Sequence, residues 1–197
     1  MMTATFLLAL AALSALNILL LLTVFTDAIR LWPTPGQGSW QNYTFWPLFR
    51  GGLGLTIALG IWQFAQMPEH APEAYIGAAL AIVALGFTIY GYFDLGIENT
   101  YGADESLVTT GLYRYSRNPQ YVASIAGFLG LAIAVGTVEI VLLSGLAIGV
   151  YALMPLAEEP WLARHFGESY DAYRQRTPRF LSISKLFNRL VTANEHR

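Results

Sequence analysis

Apolar residues run through this chain in long blocks, and charged residues interrupt them at only a few places. No charge precedes Asp27. Charge-free intervals then follow at 51–68, 74–93, 118–138 and 140–157, bounded by Arg50, Glu69, Glu73, Asp94, Arg117, Glu139 and Glu158. The shortest of these, of 18 residues, reach about 27 Å as a helix, close to the hydrocarbon thickness of a bilayer. Backbone in contact with lipid must satisfy its own hydrogen bonds, which makes helices the default. The pattern therefore predicts an all-α integral membrane bundle of about five transmembrane helices. A signal peptide is the competing reading of residues 1–26. That interval lacks a basic leading region and its apolar run is long, so a retained first helix is expected. Only Gly136-Thr137-Val138-Glu139 separate the last two spans, which should form a tight antiparallel hairpin.

Beyond the last span the period changes. Pro160 is expected to start a new helix, in which Leu162, Phe166, Tyr170 and Tyr173 fall at i, i+4, i+8 and i+11 on one apolar-aromatic face. Arg164, Glu168, Asp171 and Arg174 lie largely elsewhere. Such a helix should rest on the bilayer surface or fold over the mouth of the bundle, and Pro178 should stop it. Ile183, Leu186, Phe187, Leu190 and Val191 make a further stripe beside Lys185 and Arg189, read as an anchor for anionic membrane lipid. The chain thus reads as one membrane domain in three parts. Residues 1–93 hold three spans, 94–180 a loop, a helical hairpin and a C-terminal helix, and 181–197 an amphipathic tail.

Composition sharpens this picture. Hydrophobic residues make up 55% and charged residues 12%, against about 25% charged in soluble domains. A net charge of −2 points to no nucleic-acid partner. The absence of cysteine excludes disulfides and thiolate chemistry. His70, His165 and His196 show no ligand spacing, and no metal site is expected. With five spans, all 11 lysines and arginines fall on one side, in the first loop, the third loop and the C-terminal tail. Glu69, His70, Glu73 and Glu139 lie on the other. The positive-inside rule makes the basic side cytoplasmic, with the N-terminus outside and the C-terminus inside an inner (plasma) membrane. No charge lies inside a predicted span, which argues against transport and for chemistry at the interface. Glycines at 51, 52, 54, 127, 130, 145 and 149 suit close helix packing within a monomer.

Two segments on the basic side carry the candidate chemistry. In the stretch from Leu107 to Tyr121, Gly111 suits a tight turn. Pro119 suits the first turn of the fourth span, with Asn118 as its N-cap. Arg114 and Arg117 then stand at a helix N-terminus able to hold an anion. Spacing alone favours a plainer reading, a basic anchor with interfacial tyrosines. Glu158 and Glu159 sit at a helix end where the macrodipole disfavours negative charge. They need Arg114, Arg117 or a cationic ligand as partner.

Together these segments resemble the isoprenylcysteine carboxyl methyltransferase and phospholipid methyltransferase superfamily. The resemblance runs over Gly111-Leu112-Tyr113-Arg114, Arg117-Asn118-Pro119-Gln120-Tyr121, a hairpin, Glu158-Glu159, Phe166-Gly167-Glu168-Ser169-Tyr170-Asp171-Ala172-Tyr173 and Pro178-Arg179-Phe180, about the C-terminal half. It implies methyl transfer from S-adenosyl-L-methionine to a lipophilic small molecule or lipid at the membrane interface. By position it places cofactor contacts on Leu107, Val108, Tyr113, Asn118, Pro119, Gln120, Tyr121 and Glu158. Arg114, Arg117 and Glu159 are the candidate catalytic residues. The acceptor is expected to be isoprenylcysteine-like, with a phospholipid amine or a thiol as alternatives. Two positions depart from the prenylcysteine pattern: Asn118 stands where those enzymes carry histidine, and Met154 where the eukaryotic ones carry a substrate-binding arginine. An NADPH-dependent sterol-type reductase and a non-catalytic membrane scaffold are the competing functions. The Glu158-Glu159 pair disfavours the reductase, whose phosphates would call for arginines there.

Overall fold

A computed structural model describes residues 2–26, 28–95 and 107–181 of the chain. Six α-helices make up these residues: α1 (Met2–Phe25), α2 (Trp40–Gln66), α3 (Pro72–Leu95), α4 (Pro119–Val135), α5 (Val138–Phe166) and α6 (Glu168–Arg176). A short 3-10 turn at Gly111–Arg114 precedes α4. Helices α1, α2, α3 and α5 are long and apolar enough to cross a membrane, and α4, of 17 residues, is a shorter apolar helix. The protein is a multi-pass membrane bundle. The amphipathic tail expected beyond residue 181, with Lys185 and Arg189, lies outside the described residues.

The core joins α1, α2 and α5. Leu13, Leu16 and Leu20 of α1 meet Phe45, Phe49 and Leu53 of α2 and Ile140, Leu143 and Val150 of α5, all buried. The outer face is apolar as well. Ile76, Ile82, Val83, Phe87, Ile89 and Phe93 of α3 are exposed, as suits a helix whose solvent is lipid rather than water. Asn17 donates its side-chain N–H to the carbonyls of Leu13 (2.8 Å) and Leu146 (3.0 Å), tying α1 to α5. Its amide lies against Gly149, so that glycine serves packing, whereas Gly145 faces open space.

Helix α3 packs chiefly against α4, and glycines set the approach. A Cβ added at Gly130 would lie 2.7 Å from both the Ala81 nitrogen and the Gly77 carbonyl oxygen, backbone atoms that cannot step aside. Gly130→Leu is expected to cost about 3 kcal/mol or more, beyond ordinary overpacking of 1–3 kcal/mol. Gly127→Ala, whose new Cβ would find the Ala84 Cβ at 3.5 Å, should be tolerated. Thermal unfolding of the two variants in detergent checks this; equal melting temperatures would remove the backbone clash as the cause.

Three boundaries differ from the pattern-based expectation. Helix α2 starts at Trp40 and carries Arg50 inside it. The Arg50 guanidinium folds back over the Trp46 ring, 4.6 Å from its centroid, so a charge is carried along the helix rather than ending it. Helix α5 runs through Pro155 and Pro160 to Phe166, without a new start at Pro160. A proline removes one i→i−4 bond, and a packed membrane helix tolerates that loss. The helix stops at Gly167, whose φ of 53° lies in the left-handed region and turns the chain into α6. At 29 residues, α5 is about 43 Å long, which exceeds the ~30 Å hydrocarbon core. Its last two turns extend past the bundle. The α4–α5 hairpin is as tight as expected, with Gly136 left-handed (φ 68°) and Thr137 capping α5.

Candidate functional site

The end of the bundle where α5 overshoots holds a cleft of about 110 Å³, open to solvent. The α1–α2 loop contributes Trp32 and Pro33, the segment before α4 Leu107, Val108, Tyr113, Arg117 and Asn118, and α4 Gln120 and Tyr121. Glu158, Trp161, Leu162 and Phe166 enter from α5, and Tyr170 and Tyr173 from α6. The aromatic face read from Leu162, Phe166, Tyr170 and Tyr173 does converge here, although Gly167 divides it between two helices.

Local chemistry fixes each wall. The Asp94 carboxylate at the end of α3 accepts the backbone N–H of Leu112 (2.8 Å) beside Gly111, whose φ of 54° makes the turn. The Tyr173 hydroxyl donates to the Tyr113 carbonyl (2.6 Å), which fastens α6 to that turn. Burial, then the charge of Glu158, pushes the Tyr113 phenol well above its ordinary range, and burial does the same for Tyr173. Both stay neutral donors at physiological pH.

The adjacent carboxylates have separate tasks. Glu159 turns away from the cleft and takes Arg117 at 2.8 Å and Arg179 at 2.8 and 2.7 Å. The Arg117 and Glu159 side chains are 9% and 10% exposed. Arg117 also donates to the carbonyls of Arg174 (3.1 Å) and Thr177 (3.3 Å), and its backbone N–H to that of Pro178 (2.9 Å). Ser116 and Asn118 side chains both donate to the Arg179 carbonyl. Residues 174–179 thus form a strap pinned over the start of α4. Asn118 occupies the N-cap position of α4, but its side chain bonds the strap instead of capping the helix.

Glu158 faces the cleft and accepts the Tyr121 hydroxyl at 3.1 Å. Trp32 Nε1 approaches this carboxylate without a hydrogen bond of good geometry. Trp32 Nε1, Arg117 Nε and the Tyr170 hydroxyl are all buried without a partner, and all three residues line the cleft. Unsatisfied buried donors are rare and costly, and an acceptor from outside the chain would relieve that cost.

Of the residues singled out from sequence, Leu107, Val108, Tyr113, Arg117, Asn118, Gln120, Tyr121 and Glu158 line the cleft. Pro119 starts α4 beside it. Arg114 stands apart: it is exposed, bonds the Tyr115 hydroxyl (2.8 Å) and lies over that ring. Sequence reading missed Trp32 and Arg179 as parts of this region. Trp32 comes from a loop far from the motif, and Arg179 drew notice only as the motif's end.

A second compartment of about 50 Å³ adjoins the cleft, sharing Trp32, Leu95, Gln120, Tyr121 and Glu158 with it. Its remaining walls are Phe45, Trp46, Phe49, Thr88, Tyr92, Ser124, Tyr151 and Met154. Among the described residues, no basic side chain lines it. Among the described residues, no three His, Asp or Glu side chains gather as metal ligands would.

Residues 72–169 match the phospholipid methyltransferase family. The chain is 36% identical to a protein-S-isoprenylcysteine O-methyltransferase of Schizosaccharomyces pombe, over 72% of this chain and 71% of that one. It is 30% identical to the nickel-cobalt-cadmium resistance protein NccN of Alcaligenes xylosoxydans xylosoxydans, over 66% of each. It is 32% identical to a phosphatidylethanolamine N-methyltransferase of Rattus norvegicus, over 53% of this chain and 52% of that one. No solved structure matches the chain.

Proposed function

The chain belongs to the superfamily of membrane methyltransferases that act on isoprenylcysteine and phospholipids, and from that premise we propose that it transfers a methyl group from S-adenosyl-L-methionine to a lipophilic acceptor. The observation that carries this reading is the cleft lining, which brings the Glu158 carboxylate together with Arg117 and Tyr170, whose Nε and hydroxyl are buried without a partner. Glu158 would take the cofactor's ammonium. Arg117 Nε and the Tyr170 hydroxyl would take its carboxylate. Tyr113, Trp161 and Phe166 offer faces for the adenine. When bound, the cofactor supplies a methyl group on a sulfonium cation. The chain's own contribution is alignment and exclusion of water, which an in-line displacement chiefly needs. Arg117, a catalytic candidate from sequence, acts in this reading as a ligand holder and strap anchor. Glu159 acts through Arg117 and Arg179. We place this end of the bundle in the cytoplasm, on the strength of the one-sided lysines and arginines.

The inner compartment bears on the acceptor. Among the described residues a carboxylate head would meet no cation there, and Met154, nearly fully buried, lines it. The aromatic rings of the compartment suit an amine, which binds as a cation on ring faces and reacts after losing a proton. The amine reading is therefore favoured over the isoprenylcysteine-like one. A nicotinamide dinucleotide fits poorly, since the Glu158 carboxylate faces the cleft that its phosphates would occupy.

Calorimetry against S-adenosylhomocysteine and NADPH tests the cofactor, and binding of the first alone is expected. Incubation with methyl-labelled cofactor and, separately, an alkylamine, a prenylcysteine and an alkyl thiol tests the acceptor. Label is expected in the amine; label in the prenylcysteine alone would overturn that choice.

A further inference from the structure

The 3-10 turn at Gly111–Arg114 carries Tyr113 into the cleft. Thr110 stands at its N-cap position but makes no side-chain hydrogen bond there. The first N–H groups of a helical turn have no partner within it. For Leu112 the partner is Asp94, eighteen residues upstream, whose Oδ2 accepts at 2.8 Å. Asp94 stands in the last turn of α3, where the macrodipole disfavours a negative charge. The same carboxylate meets the start of the 3-10 turn, where free N–H groups favour one. Gly111 gives it room: a Cβ there would lie 2.6 Å from the Asp94 carboxyl carbon, and the φ of 54° already calls for glycine.

Two holds on Tyr113 trace back to this one turn of α3. Asp94 fixes the backbone immediately before the residue. The Gly91 carbonyl accepts Gln120 Nε2 at 2.7 Å, and the Gln120 amide approaches the Tyr113 hydroxyl. The base of Tyr113 and the tip of its ring are thus referred to the same few residues. Tyr113 is buried and lines the cleft, whereas Asp94 lines neither compartment.

We propose that Asp94 is a positioning residue for the cofactor: it caps the 3-10 turn and so sets the Tyr113 ring against the bound molecule. The proposal rests on the methyl-transfer reading. A tie that served stability alone could fall anywhere along the segment before α4. This one falls beside the aromatic wall of the cleft, and its companion through Gln120 meets the hydroxyl of the same ring.

The test compares Asp94→Ala, which removes the acceptor, with Asp94→Asn, which keeps an oxygen for the Leu112 N–H. Calorimetry with S-adenosylhomocysteine on the full chain in detergent should show affinity falling roughly tenfold or more in Asp94→Ala and remaining within about threefold in Asp94→Asn. The number of sites per chain should stay at the native value in both. A purely structural role would lower the number of competent sites and leave the affinity of the rest unchanged, and that result would overturn the proposal. Tyr113→Ala supplies a second arm. If Asp94 acts through Tyr113, adding Asp94→Ala to Tyr113→Ala should weaken binding by no more than about twofold, whereas fully additive losses would overturn it. A fluorinated tyrosine at Tyr113 reads the ring without turnover. Its fluorine resonance should shift or double in Asp94→Ala and hold in Asp94→Asn; an unmoved resonance in Asp94→Ala overturns the proposal. A native chain that binds S-adenosylhomocysteine yet methylates no acceptor would sink the reaction reading and leave Asp94 to these measurements. A native chain that binds none would sink the cofactor reading, and the resonance alone would then say whether Asp94 places Tyr113.

Discussion

Glu158→Gln is expected to weaken S-adenosyl-L-methionine binding roughly 10- to 100-fold, the worth of about 1.5–3 kcal/mol for a hydrogen bond to a charged group. The substitution keeps the shape of the side chain and an oxygen for the Tyr121 hydroxyl, which now donates at 3.1 Å. The bundle should therefore fold and melt as before. What is lost is the negative charge at the junction of the cleft and the inner compartment, both of which Glu158 lines. Among the described residues, no other carboxylate lines either compartment. Titration of the variant with S-adenosylhomocysteine reads the effect directly. Unchanged affinity would remove Glu158 from the cofactor site and return the scaffold reading to consideration.

Glu159→Ala should act on stability instead, with a loss of about 3–5 kcal/mol. The carboxylate accepts from two guanidinium groups, and removing it leaves Arg117 charged, 9% exposed and without its counter-ion. Breaking a buried pair from one side costs more than the pair itself contributes, because the orphaned charge cannot regain water. Arg179 is the lesser term. At 38% exposure it can turn to solvent, although its attachment to Glu159 raises its proton affinity above the ordinary guanidinium value. Denaturant or thermal unfolding in micelles measures the loss, and cofactor affinity should fall with it as the strap detaches. A change below about 1 kcal/mol, the range of solvated surface pairs, would show that the trio is wetter than its burial indicates. The contrast between the two variants is the sharper check. Neighbouring glutamates of one helix should separate, one altering binding at constant stability and the other altering stability first.

Much of the membrane layout was legible because lipid imposes a simple rule on sequence: charges are excluded from the spans, so the gaps between charges locate them. The rule failed where a charge found an escape. Arg50 lies within α2 because its guanidinium reaches back over Trp46, and nothing in the spacing of charges announces that. Pro160 misled in the opposite sense, since a proline marks a helix start only where the preceding turn has not already been secured by packing. At the site, the residues carried over by resemblance largely meet at one cleft, yet spacing alone could not separate Arg114 from Arg117. Three positions apart, they straddle the end of the 3-10 turn, so one lies on the surface and the other under the strap. Trp32 was invisible for a different reason. Its place beside Glu158 is set by the tertiary packing of its ring on Phe45, with centroids 4.4 Å apart, and no local pattern encodes that.

The strap has a consequence for how the protein is made. Chains emerge from the ribosome N-terminus first, and regions fold as they become available. Arg179 and the carbonyls of Arg174, Thr177 and Pro178 follow the four long apolar helices and the shorter α4 in the sequence. Every one of those helices can thus be threaded into the bilayer before the residues that pin α6 over the cleft exist. Insertion is complete first and competence arrives last, so a nascent chain has no closed pocket in which to sequester cofactor while its helices are still finding their neighbours.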